Sequence, residues 1–111
     1  LRALIARADA NAAALDCWVQ QAGWIEHLAS DPAVRSNTSV CLQFADRSEP
    51  AANSARQKSI VKLLESEQAA FDIGAYRDAP AGLRVWCGAT VDTADIETLG
   101  PWLDWAWEHT K

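Results

Sequence analysis

Three arginines stand where they could grip an anion: Arg35, Arg77 and Arg84. Arg84 is the most informative. It falls within Leu83–Gly88, a run read as a strand, with Leu83, Val85 and Cys87 on one face and Arg84 and Trp86 on the other. A mid-strand arginine must reach an anion or a rim of water, because an unpaired charge is costly to bury. Its planar fork suits bidentate contact with a carboxylate or phosphate. Arg77 lies in the loop before this strand, and Arg35 just before an earlier one. On spacing alone the arrangement also reads as a structural ion pair of Arg84 with Asp72, Asp78 or a helix carboxylate.

Other chemistries lack their residues. His27 and His109 both fall in stretches read as helical, and there is no G-x-S-x-G elbow, so nucleophilic Ser–His–Asp catalysis has no support. The histidines share no local motif and no C-x-x-C occurs, so no metal site is expected. Cys17, Cys41 and Cys87 are far apart and read as reduced, partly buried thiols of a cytoplasmic protein. No dinucleotide or P-loop fingerprint is present, and five glycines leave little from which to build a phosphate cradle. The formal charge of −5 and a pI near 4.8 argue against a nucleic-acid binder. No apolar run is long enough to cross a bilayer, and no signal peptide opens the chain.

The elements that must position the arginines follow from periodicity. Leu4, Ile5, Ala8, Ala12, Leu15, Trp18, Val19 and Ala22 recur at helical spacing, with Arg7, Asn11, Asp16 and Gln20 largely elsewhere and Gly23 as the stop. A short helical turn through Trp24, Ile25 and Leu28 is expected next. Residues 36–44 alternate as a strand with Val40, Leu42 and Phe44 on one face. Residues 45–53 read as a loop. Ser54 and Gln57 have capping-box spacing and open a helix that buries Ile60, Leu63 and Leu64, with Lys58, Lys62 and Glu65 in water. A second strand is expected over 70–75, a loop over 76–82, then the Arg84 strand. Asp92 or Thr93 caps a last helix striped by Ile96, Leu99, Leu103, Ala106 and Trp107. Gly100-Pro101 predicts a kink or break within it. One helix face cannot hide Trp102, Trp105 and Trp107 together, so at least one is expected to be exposed or to cover a neighbour. The order α-β-α-β-β-α predicts a single α+β domain over residues 1–111: a two-layer sandwich with a small, largely antiparallel sheet and helices on one face. Methionine is absent, even at position 1, which predicts an incomplete translated chain.

Three runs carry a family resemblance: Arg35–Leu42, Asp72–Gly88 and Pro101–Ala106. Together they resemble the C-terminal small domain of phosphoserine aminotransferases, in an alpha-proteobacterial-like form, which are fold-type I enzymes using pyridoxal 5′-phosphate. The resemblance implies amino transfer from glutamate to 3-phosphohydroxypyruvate in serine biosynthesis. It also implies a homodimer, small anionic substrates such as phosphoserine and glutamate, and a large domain as partner. Arg84, in its Gly-Leu-Arg context, matches the arginine that grips the substrate α-carboxylate. Tyr76 and Arg77 fall where the family holds the substrate phosphate, although other branches carry His-Arg there. Arg35 is the weaker candidate and also reads as structural. The family's Schiff-base lysine has no counterpart in context, and Lys58, Lys62 and Lys111 lack the burial that activates an imine-forming lysine. This chain alone is therefore expected to hold no cofactor and to be inactive, with helix 1–22 as a truncated linker to the missing large domain. The alternative is a non-catalytic interaction module of the same fold that binds a partner through exposed tryptophans.

Overall fold

The computed structural model describes residues 2–29, 38–76 and 79–110. Helix α1 spans Arg2–Ala22 and buries Ala8, Asn11, Leu15 and Val19, a stripe at spacings of three and four. Leu4 and Ile5, at its N-terminal end, are exposed. The helix stops at Gly23, whose φ of +78° is open to glycine at little cost.

Beyond Gly23 the chain departs from expectation. Residues Ile25–His27 form strand β1, not a helical turn, and pair antiparallel with strand β2, Ser39–Phe44. Strand β2 pairs antiparallel with β3, Gly82–Trp86, giving the sheet order β1-β2-β3. The predicted strand over 70–75 does not form. Gln68 and Asp72 take positive φ and break the extended path, so only Gly74 bridges to Leu83. The observed order is α-β-β-α-β-α, which corrects the predicted α-β-α-β-β-α, while the α+β class with a small antiparallel sheet holds.

Helix α2 spans Pro50–Ser66 and starts four residues before the expected cap. Pro50 sits in its first turn, where the missing N–H costs nothing. Ser54 therefore lies inside the helix, and Gln57 Oε1 instead accepts the Gly82 N–H at 2.9 Å, tying α2 to the start of β3. Helix α3 spans Thr93–His109 and continues through Pro101, so the predicted break is not realised. Burial of Leu103 and Ala106 outweighs the one backbone bond that proline removes. Gly100 is required by close approach: a Cβ there would meet the Trp18 ring at 2.7 Å.

Val40, Leu42, Phe44, Leu83 and Val85 carry the sheet's inner face into one core with Leu15, Val19, Ile60, Leu64, Ile96, Leu103 and Ala106. Asn11 is fully buried in this layer, contrary to its expected place off the stripe. Its amide reaches the Cys87, Gly88 and Val91 carbonyls and its oxygen accepts from Thr93 Oγ1, locking α1 to the turn that leads into α3. Asp104 accepts the indole N–H of both Trp18 and Trp24, and Trp24 stacks on Trp107 at 4.4 Å. Trp102, Trp105 and Trp107 are all half-buried. The tryptophan most open to solvent is Trp86, on the sheet. Cys17 is exposed rather than partly buried, Cys41 is intermediate and Cys87 is buried, and all three are free thiols.

Candidate functional site

The outer face of the sheet is set by register. Cys41 pairs with Arg84 and Ser39 with Trp86, so these four side chains share the face opposite the core. Leu83 and Val85, on either side of Arg84, are buried, which forces the guanidinium outward as expected. The Arg84 N–H donates to the Ile73 carbonyl at 2.7 Å, bringing segment 72–76 alongside the strand.

That segment frames the guanidinium. The Tyr76 ring lies beneath it, 4.3 Å from Cζ to the ring centroid, a cation–π geometry. Arg84 Nη2 donates to the Asp72 carbonyl at 3.2 Å and stands 3.3 Å from Asp72 Oδ1. The Tyr76 hydroxyl lies 3.5 Å from Ser39 Oγ, the long edge of hydrogen-bonding range. Hydrogen bonding to Ser39, then to Arg84, lowers the phenol pKa below its ordinary value. Tyr76, and less strongly Asp72, in turn raise that of Arg84, so the guanidinium stays charged. Ser39, Phe71, Asp72, Tyr76, Arg84 and Trp86 line a pocket of 380 Å³. Phe71, Tyr76 and Trp86 each expose more than half their surface.

Of the predicted site residues, the structure thus brings Arg84 and Tyr76 together. Arg77, Asp78 and Arg35 lie outside the described residues. The ion pair with Asp72 weighed from the sequence is present, as a single long contact. Ser39, Phe71 and Asp72 were not singled out as site residues. The alternation of β2 already put Ser39 opposite Val40, so its face was readable, whereas Phe71 and Asp72 depend on the loop path. A larger hollow of 580 Å³ beside β1 holds Glu26, Gln43 and Arg47. Its charges satisfy one another, with Arg47 at 2.6 Å and Gln43 at 2.9 Å from Glu26 Oε1, leaving less for a ligand. His27 belongs to β1 rather than a helix, and its Nε2 lies 2.8 Å from Asp16. Among the described residues no group of three His, Cys, Asp or Glu side chains could hold a metal ion, and no helix is long and apolar enough to cross a membrane.

Fold and site together define a small α+β domain that presents Arg84, backed by the Tyr76 ring, on the outer face of a three-stranded sheet. Along its whole length the chain is similar to part of phosphoserine aminotransferases. It is 44% identical over 111 residues to the phosphoserine aminotransferase of Methanosarcina mazei and 43% identical to that of Methanosarcina barkeri, covering all of this chain and 28% of each relative. Among solved structures, phosphoserine aminotransferase from Bacillus circulans subsp. alkalophilus superposes with a TM-score of 0.71 at 19% identity, covering 94% of this chain and 26% of that one. A phosphoserine aminotransferase structure determined to follow radiation damage of its Schiff base superposes with a TM-score of 0.69 at 12% identity, covering 93% of this chain and 26% of that one. No protein-family model matches. The chain therefore spans a little over a quarter of the length of the curated relatives it matches.

Pyridoxal phosphate, implied by the resemblance, finds no lysine to hold it among the described residues. Lys58 and Lys62 are exposed on α2, far from the desolvated environment an imine requires.

Proposed function

We propose that this chain is the C-terminal small domain of a longer phosphoserine aminotransferase, and that Arg84 receives the substrate α-carboxylate. The observation that carries this reading is the Arg84 guanidinium, aimed off the sheet by its buried neighbours, backed by Tyr76 and open toward the pocket. A guanidinium in that position offers parallel N–H donors to a carboxylate, which fixes the orientation of the amino acid as well as its affinity. In the longer protein, a homodimeric cytoplasmic enzyme, a separate large domain supplies pyridoxal phosphate and its lysine. The cofactor provides the electron sink for amino transfer between glutamate and 3-phosphohydroxypyruvate. Arg77 is assigned to the substrate phosphate. Tyr76 is assigned a different part from the phosphate contact its position suggests: its ring backs Arg84.

The test is half-reaction kinetics in the full-length enzyme. Arg84→Ala should weaken both glutamate and phosphoserine, because both carry an α-carboxylate. Losing a charge-assisted contact worth about 1.5–3 kcal/mol lowers affinity by about one to two orders of magnitude. Arg77→Ala should penalise phosphoserine far more than glutamate. Unchanged half-reactions in Arg84→Ala would return Arg84 to a purely structural ion pair. A second reading, an interaction module without catalysis, draws on the exposed Phe71 and Trp86. A coding sequence that continues upstream into a lysine-bearing cofactor domain would dismiss it.

A further inference from the structure

We infer that Asp72 is a built-in counter-ion for Arg84, a carboxylate of the chain itself that occupies the guanidinium and must swing away when a substrate carboxylate binds. This rests on the reading of Arg84 as the carboxylate anchor, and adds a competitor to it.

The geometry separates a placeholder from a structural bridge. A carboxylate built to hold an arginine pairs with it bidentately, at about 2.7–2.9 Å. The Asp72 contact is a single 3.3 Å approach, to the same Nη2 that already donates to the Asp72 carbonyl. The Asp72 side chain is 93% exposed while that of Arg84 is only 21% exposed, so the carboxylate can rotate into water without uncovering anything apolar. At the β1 edge of the sheet, Arg47 and Glu26 make a shorter ion pair, at 2.6 Å. The backbone explains how the carboxylate arrives there. Asp72 holds φ at +55°, a left-handed conformation that aspartate and asparagine tolerate better than most residues. That turn presents both its carbonyl and its carboxylate to one guanidinium nitrogen. The carbonyl contact can persist through the exchange and keep the arginine aimed, while the ring of Tyr76 keeps its face covered. The exchange of one carboxylate for another leaves the guanidinium charge balanced throughout, so an unliganded site carries no bare cation.

The consequence is unusual in sign: removing this native contact should improve binding. An exposed ion pair of this kind is weak, so Asp72→Asn should tighten L-glutamate by about two- to fivefold. Asparagine tolerates the left-handed backbone and keeps the carbonyl. Asp72→Gly, which suits that φ still better, serves as the second variant. The measurement is the concentration dependence of each half-reaction of the full-length enzyme, with L-glutamate and with O-phospho-L-serine, which returns an apparent Kd for each. Glu67→Gln, on the exposed end of α2, controls for a mere change in net charge. Tighter binding in Asp72→Asn and Asp72→Gly, none of it in Glu67→Gln, and loss of binding in Arg84→Gln is the expected pattern. Equal or weaker binding in the Asp72 variants, with dependence on Arg84 intact, would overturn the counter-ion and leave the carboxylate anchor standing. An equal gain in Glu67→Gln would reduce the effect to net charge and also overturn it. Binding that survives Arg84→Gln, or no binding in any variant, would overturn both readings.

Discussion

Replacing Asn11 by alanine probes the least expected member of the core. Its side chain is fully buried. The amide nitrogen faces the carbonyls of Cys87 at 3.2 Å, Gly88 at 3.2 Å and Val91 at 2.8 Å, and Oδ1 accepts from Thr93 Oγ1 at 2.5 Å. Two amide hydrogens cannot serve three acceptors fully, so the Cys87 and Gly88 contacts share one. Alanine removes two donors and one acceptor and leaves buried carbonyls without partners. At about 0.5–1.5 kcal/mol net per bond, with the desolvation of the orphaned carbonyls added, the loss is about 2–5 kcal/mol. In a chain of this size each kcal/mol moves the thermal midpoint by about 4 °C, so it should fall by about 8–20 °C. Asn11→Asp should cost more than Asn11→Ala, because it sets a negative charge against three carbonyl oxygens. Urea and thermal denaturation read both variants, and a double-mutant cycle with Thr93→Val should return a non-zero coupling. A loss below about 1 kcal/mol for Asn11→Ala would refute the view that this amide is what fastens α1 to the turn before α3.

Leu103 is fully buried in α3, so Leu103→Ala should cost about 2–5 kcal/mol in urea denaturation. Gly100→Ala should destabilise by about 1–3 kcal/mol even though alanine is the better helix former, because the new methyl meets a Trp18 ring that Asp104 holds in place; a stabilised variant would place α1 and α3 further apart than described. Burial pushes the Cys87 thiol up from 9.0 to about 11. The folded state then holds its proton longer than the unfolded one, so this contribution is whole below pH 9 and is lost as pH rises through about 11, by about 1–3 kcal/mol. Urea unfolding across that range should show the loss, and Cys87→Ala should remove that part of the slope.

What could be read from the sequence was whatever depends on a residue's neighbours along the chain. The alternation around Val40 and around Arg84 gave both faces of β2 and β3, and with them the outward aim of Arg84. The stripes of α1 and α3 were legible for the same reason. Strand β1 was not, because three residues after a glycine carry no period; Ile25–His27 are extended only because β2 offers them a pairing edge. The segment 70–75 failed the opposite way. Its apolar Phe71 and Ile73 suggested a strand, but the positive φ at Gln68 and Asp72 turns the chain, leaving Phe71 in water and bringing Tyr76 under Arg84. Asn11 looked like a surface amide because its three carbonyl partners lie more than seventy residues away.

The pairing of Cys41 with Arg84 also bears on how such a site can change over generations. A slip of one residue between β2 and β3 would turn Arg84 inward and put Leu83 in water, so a drifting register loses the fold before it can offer a relocated arginine. The position of the guanidinium is inherited with the core, under the same selection, and cannot wander by small steps. The residues around it have no such protection. Asp72, Phe71 and Tyr76 lie on the segment that runs beside β3 without joining the sheet as a strand, and each can be exchanged without disturbing a single strand pair. Variation in the surroundings of the arginine is therefore free to accumulate in that segment while the arginine itself stays where it is.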